Sequence, residues 1–287
     1  MTKMSASRSG KVSKTFLCKH LDTHTLDVDL SFDPYLRYIC HRYQTLAERA
    51  RVVINQPPRS LKSWTAKFYA AWYLGRHPGA EVMIITNTQR LSETFLYDVR
   101  KLLRSKWYRE VFPRMRIAAD RSSVSHLKTT RGGGIFAGSV EGSVAGFGAD
   151  LLIIDDPNKI DEASRPDRMQ LVNQKFDGEI YSRLNNKKKS IVVVVQHRLN
   201  ENDLSGHLIG RGYERVALPL IAPRDKNFRL ADGKVWRRRK DDILVPSSSR
   251  PTIFGSISKA LGKTLRLLLD IWTSVSSRIL SQWDRPS

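Results

Sequence analysis

The stretch "RVVINQPPRSLKSWTAKFYAAWYLGRH", residues 51–77, runs from a short apolar segment through a polar turn with two prolines into a helical pattern. "RVVIN" suits a buried strand, and "KSWTAKFYAAWYLGRH" suits a helix that "PGA" ends. A strand, a turn and a helix in this order can form a phosphate-binding loop of the pattern G-x-x-x-x-G-K-[ST]. There, backbone N–H groups and the helix N-terminus face phosphates, the lysine neutralises charge and the hydroxyl meets magnesium. Aligning Lys62 and Ser63 with that pattern places Gln56 and Leu61 where its two glycines belong. By pattern alone the match fails, and a lysine–serine pair after a turn also arises by chance.

A second element lies downstream. "ADLLIIDDP" (149–157) is an apolar run ending in two acids, at the end of a predicted strand, where a magnesium–nucleotide site needs a carboxylate. Asp155 is placed to hold magnesium through its bound water and Asp156 to orient an attacking water. A turn or helix cap is the other reading of "DDP". Next, "SIVVVVQHR" (190–198) carries a continuous valine run suited to a strand buried on both faces, and it ends at Gln196, a candidate sensor of the terminal phosphate. A polar residue closing a strand is the alternative.

Between these, "EVMIIT" (81–86) and "GGGIFAGS" (132–139) read as strands. "RLSETFLYDVRKLLRSKWYREVF" (90–112) reads as one long amphipathic helix stopped by Pro113, and residues 161–184 as a polar helical stretch. Residues 33–50 carry a helical pattern before "RVVIN". Strands alternating with helices indicate a parallel α/β sheet.

The 49 Lys and Arg outnumber the 28 Asp and Glu in 287 residues, leaving +21, so a polyanion is the natural partner; charge alone does not separate DNA, RNA and anionic lipid. Basic runs occur at "KKK" (187–189) and "RRRK" (237–240). The only cysteines, Cys18 and Cys40, argue against a disulfide scaffold and suit a reducing cytosol. With His20, His24 and His41 they match no standard zinc spacing. No secretory leader and no apolar run of about 18 residues is present, so no transmembrane segment is expected.

From about 41 to 210 the chain resembles the large subunit of tailed-phage terminases, the ATP-driven motors that package DNA. The resemblance is carried by "INQPPRSLKS", "DVRKLLRSKWYREVFP", "GADLLIIDDPNKIDEA" and "IVVVVQHRLNENDLSGHLI" in that order, over about 60% of the chain. It implies a P-loop NTPase domain of the ASCE type at 35–220, a parallel sheet flanked by helices. ATP and Mg2+ are implied as cofactors. The segment Gln56, Pro57, Pro58, Arg59, Ser60, Leu61, Lys62 and Ser63 would bind nucleotide. Lys62 and Ser63 would be the Walker A residues, Asp155 the Walker B metal residue, and Asp156 would replace the more usual catalytic glutamate. Arg59 would stabilise charge on the transferring phosphate, unless it is only a solvated loop charge. Gln196 with His197 would couple hydrolysis to DNA movement. Expected partners are double-stranded DNA, a portal protein, a small terminase subunit and further copies in a ring, in the bacterial cytoplasm at the procapsid.

Two departures from the family stand out. Leu61 replaces the glycine before the lysine, where a side chain could crowd phosphates or force an unfavourable backbone angle. Phe147, in "VEGSVAGFGAD", stands where relatives carry a basic residue. Residues 1–34 read as a partly disordered arm, 221–250 as a basic linker, and 251–287 as an amphipathic helical tail, leaving no room for the family's nuclease domain. The tail could bind a partner or a membrane surface, or be a frameshifted remnant. The alternative function is a truncated prophage remnant that binds DNA without turning over ATP.

Overall fold

A computed structural model describes residues 33–244; the N-terminal arm and the helical tail expected at 251–287 lie outside the described residues, as do Cys18, His20 and His24. Helix α1 (Pro34–Gln44) leads into strand β1 (Arg51–Asn55) and, after the proline turn, helix α2 (Lys62–Arg76). Strand β2 (Glu81–Thr86) is followed by α3 (Gln89–Arg104) and α4 (Lys106–Val111). Strands β3 (Ile117–Ser122), β4 (His126–Thr129), β5 (Gly134–Ser139) and β6 (Leu151–Asp155) follow. Next come α5 (Pro166–Lys175), β7 (Ile191–Gln196), α6 (Leu204–Gly210) and β8 (Glu214–Ala217), and last a hairpin of β9 (Lys226–Arg229) and β10 (Val235–Arg238).

Eight strands form one sheet in the order β3-β4-β5-β2-β6-β7-β1-β8. The six from β5 to β8 are parallel, while β4 and β3 extend the sheet antiparallel at one edge. The strand that follows the phosphate-type loop's own strand in function, β6 with its two acids, is separated from β1 by β7. This insertion defines the ASCE class of P-loop folds, as expected.

The apolar strands are buried on both sides because helices cover both faces. Along β1, β6 and β7, Val52, Ile54, Leu151, Ile153, Val193 and Val195 belong to one core with α1, α2 and α3. Their alternates Val53, Leu152, Ile154, Val192 and Val194 belong to a second core that includes Val172, Leu204 and Leu208 of α5 and α6. This two-residue alternation explains why a continuous valine run is stable in β7. Helix α2 sits deep in the first core, and at Gly75 an added Cβ would lie 2.6 Å from the Phe112 ring, so only glycine admits that crossing.

Three elements depart from the sequence reading. The long helix expected at 90–112 breaks at Ser105, whose backbone is extended and whose hydroxyl donates to Leu102 O at 2.6 Å. The helical stretch expected at 161–184 is α5 followed by a π turn (Phe176–Ile180) and a 3-10 turn (Tyr181–Arg183). Within 221–244, the segment expected to be a basic linker is a folded hairpin whose Phe228, Leu230 and Leu244 are buried. Phe228 meets Tyr38 of α1 edge-on at 4.9 Å and stacks on Trp236 at 4.8 Å, and Arg37 pairs with Asp232 at 2.7 Å.

Candidate active site

Three parallel strands end side by side. Asn55 of β1 is paired with Gln196 of β7, and Val195 with Asp155 of β6, so the loops leaving all three emerge at one edge of the sheet. Lys62 and Asp156, 94 positions apart, meet in space: Lys62 Nζ lies 2.7 Å from Asp156 Oδ2. Lys62 is 7% exposed.

The turn preceding α2 takes its shape without glycine. Arg59 (φ 60°) and Leu61 (φ 59°, ψ 18°) are both left-handed, and Leu61 caps the helix N-terminus. A non-glycine residue there costs on the order of 1 kcal/mol. The leucine side chain is partly buried against the first core. The turn is braced by Ser60, whose hydroxyl donates to Pro57 O at 2.7 Å. Pro57 and Pro58 carry no N–H, so the backbone donors of this loop are those from Arg59 onward together with the unpaired first turn of α2. Arg59 is exposed and makes no ion pair among the described residues.

The two acids are driven apart. Asp155 is 8% exposed, and burial, then the adjacent Asp156 charge, push its carboxyl up to about 6, against contacts from Ser63, Lys62 and Lys67. Burial also raises Asp156, but the His197 hydrogen bond and the Lys62 charge outweigh it and hold the carboxyl below its ordinary value. Asp156 Oδ1 accepts from the His197 backbone N–H at 3.1 Å and lies 3.0 Å from His197 Nδ1. Asp156 itself is left-handed (φ 44°), a conformation Asp tolerates better than most residues. Three of the five left-handed non-glycine residues among the described residues therefore stand at this site, where backbone strain commonly collects.

Gln196 is held among neighbouring side chains. Its side chain is fully buried, donating to Asn158 Oδ1 at 2.9 Å and accepting from the Ser205 N–H at 3.1 Å and the Ser205 hydroxyl at 2.8 Å. Asn55 Nδ2 donates to Gln196 O and to the Ser205 oxygen, both at 3.1 Å. Its neighbour His197 is the residue that reaches the paired acids. Asn55, Asn158 and Ser205 carry no motif of their own, and only the strand ends on either side of them hint at their role.

Phe147 stacks on Phe136 at 3.9 Å and meets His126 edge-on at 5.1 Å, so it serves packing. Cys40 is buried in α1.

The donor set fits a magnesium triphosphate. Asp155 Oδ1 is buried without a hydrogen-bond partner, the Ser63 hydroxyl adjoins the same carboxylate, and both side-chain polar atoms of Gln56 are buried without partners at the start of the loop. These buried atoms have capacity left to accept or donate to a ligand. Among the described residues no group of three or more His, Cys, Asp or Glu could hold a metal ion, whereas magnesium commonly needs only one or two carboxylates beside substrate phosphates.

No protein-family model matches the chain, and no curated protein does. Solved structures similar to it include the large terminase ATPase domain of Thermus phage P74-26. Its arginine-to-alanine mutant shares 16% identity at TM-score 0.39, covering 57% of this chain and 64% of that one. The unmutated domain gives 14% and 0.33, covering 54% and 62%. The large terminase of bacteriophage HK97 gives 13% and 0.43, covering 70% of this chain and 42% of that one. This chain thus spans less than two thirds of each of these structures. The assignment of fold rests on strand order and loop position instead.

Proposed function

We propose that this chain is the ATP-hydrolysing portion of a DNA-packaging motor of the phage terminase type. The observation that carries the reading is the 2.7 Å approach of Lys62 to Asp156, beside Asp155 and Ser63, at the N-terminus of α2. In this reading the unpaired N–H groups of the helix start and the Lys62 ammonium hold the β and γ phosphates, and exposed Arg59 swings onto charge developing on the γ-phosphate. Ser63 and Asp155 would hold magnesium, which when bound supplies charge neutralisation between those phosphates. Asp156, kept ionised by His197 and Lys62, accepts a hydrogen bond from the attacking water and holds it in line. A triphosphate at the loop competes with Asp156 for Lys62, so substrate binding frees the carboxylate for the water.

Hydrolysis would move duplex DNA past a basic surface, with a portal protein, a small terminase subunit and a ring of copies as partners in the host cytoplasm. No nuclease is assigned to these residues. A DNA-stimulated ATPase assay tests the reading. Lys62→Ala is expected to lose at least 100-fold in turnover; activity that survives it would mean the site is misplaced. No turnover in a well-folded wild-type sample would favour the impaired remnant.

A further inference from the structure

At the opposite edge of the sheet, where β1 and β7 begin, lies an open pocket of about 420 Å3. Its charged lining is entirely cationic: Arg49, Arg51, Lys187, Lys188 and Arg211, set against Tyr181 and Tyr213. Arg51 opens β1 and Asn55 closes it, so the pocket and the phosphate loop are held about 13 Å apart by one strand, at roughly 3.3 Å per residue. It cannot share the phosphates of a nucleotide bound at Lys62.

The cations are positioned. The Arg51 guanidinium donates to Ala50 O, Ser190 O and Lys187 O at 3.1, 2.6 and 3.0 Å, which leaves two of an arginine's five N–H groups unspent. Arg51 and Lys187 both approach the Tyr181 ring, at 5.6 and 5.5 Å from its centroid. Arg49 is held left-handed (φ 65°), with its backbone N–H on Lys189 O at 2.9 Å. Arg211 is partnered by Asp177, while Arg49, Arg51, Lys187 and Lys188 form no ion pair among the described residues.

We propose that this pocket seats the phosphate backbone of duplex DNA, which gives the DNA partner of the proposed function a place on the molecule and rests on that reading. Four uncompensated positive charges exceed what one inorganic phosphate can neutralise, while a duplex presents one negative charge per roughly 1.7 Å of its axis. The pocket's open mouth admits successive phosphates, and the tyrosine wall lies beside them to meet sugar. No base edge is read, so binding is tolerant of sequence.

The test is fluorescence anisotropy of the full chain with a labelled 30-base-pair duplex across a salt series. The variants are Lys187→Ala/Lys188→Ala and, as a control of equal charge, Lys101→Ala/Arg104→Ala at the exposed end of α3. The pocket variant should lose on the order of 10-fold in affinity, and its slope of log K against log salt should shallow by about 2, near 0.9 per lost contact. The control should move neither by more than about half as much. Equal effects from both variants would overturn the pocket and leave only a diffuse field. Displacement of duplex by millimolar inorganic phosphate, or by polyglutamate as effectively as by unlabelled duplex, would also overturn it. A wild type that binds no duplex at any salt removes the DNA reading itself, whereas a duplex-binding wild type with an indifferent pocket variant removes the pocket alone.

Discussion

Asp155 shows how one carboxylate can be expensive and useful at once. Its carboxyl rises from 3.8 to about 6 on folding, mainly through burial and then through Asp156. Between those values the folded chain binds more protons than the unfolded one, so stability falls as pH rises through that window. Above pH 6 the ionised group costs on the order of 3 kcal/mol, at about 1.36 kcal/mol per unit. Asp155→Asn should therefore melt above the wild type at pH 8, with the gap closing toward pH 4. Added Mg2+ should narrow the gap at pH 8 by stabilising only the wild type. A variant that melts no higher at pH 8 would show that the carboxylate has a compensating partner. Leu61 poses the second residue-scale question. Its left-handed backbone supplies the turn that glycine would have supplied, and its side chain is turned toward the core. Leu61→Gly is expected to keep ATPase kcat/KM within about threefold of wild type; a gain beyond 10-fold would mean the leucine obstructs phosphates. Neither the backbone dihedral nor the side-chain direction is written in the residue type, so sequence could flag Leu61 but not resolve it.

Among the elements, β1, β2, β6, β7 and α2 were legible, because strands buried on both faces must be continuous apolar runs and these were the ones flanked by turns and acids. Strands β3 and β4 were not: at the antiparallel edge, "RIAADRSSVSHLKTT" needs few apolar residues. Strand β8 escaped notice because only Val216 of its four residues is buried. The break at Ser105 is one serine within an unbroken amphipathic pattern, which periodicity cannot see. That the twin acids and the lysine converge was legible from strand ends and spacing, while the surroundings of Gln196 were not, since a strand-terminal glutamine looks the same facing a ligand or facing a neighbouring helix. Here it ties β7 to the start of α6, whose Asp203 caps the helix by accepting from the Gly206 N–H at 2.8 Å. Gln196→Leu would strand the N–H and hydroxyl of Ser205 in a dry interior. At about 1–3 kcal/mol for each unsatisfied group, a loss of about 3 kcal/mol is expected. Urea melts should show it as a lower midpoint at unchanged slope; a midpoint equal to wild type would return Gln196 to a role in ligand sensing.

At the scale of the molecule, the basic character divides into charges that hold the fold and charges that face outward. Arg238, from the run "RRRK", is 3% exposed and donates to the carbonyls of Pro219, Leu220 and Asp242 at 2.6, 2.9 and 3.0 Å. Burial lowers its guanidinium to about 10. It clamps the chain leaving β8 to the strand β10 of the hairpin, which in turn covers α1. The "KKK" run, in contrast, stands open to solvent at the edge of the sheet. Net charge alone does not separate the two. The clamp has a consequence for where the folded unit ends. If residues 221–244 were a linker, a chain cut after Leu220 would be as stable as the full one. The packing argues otherwise: removal would strip Phe228, with Trp236 stacked on it, from Tyr38 and leave the α1 face around it wet. Losing a buried aromatic costs about 3–5 kcal/mol, a large part of a domain's typical 5–15 kcal/mol. The cut chain is therefore expected to melt at least 10 °C lower than the full chain, or to aggregate on expression. Replacing Phe228 alone with alanine should reproduce about half of that drop. Equal melting of the cut and full chains would make the hairpin an appendage and return the boundary to residue 220.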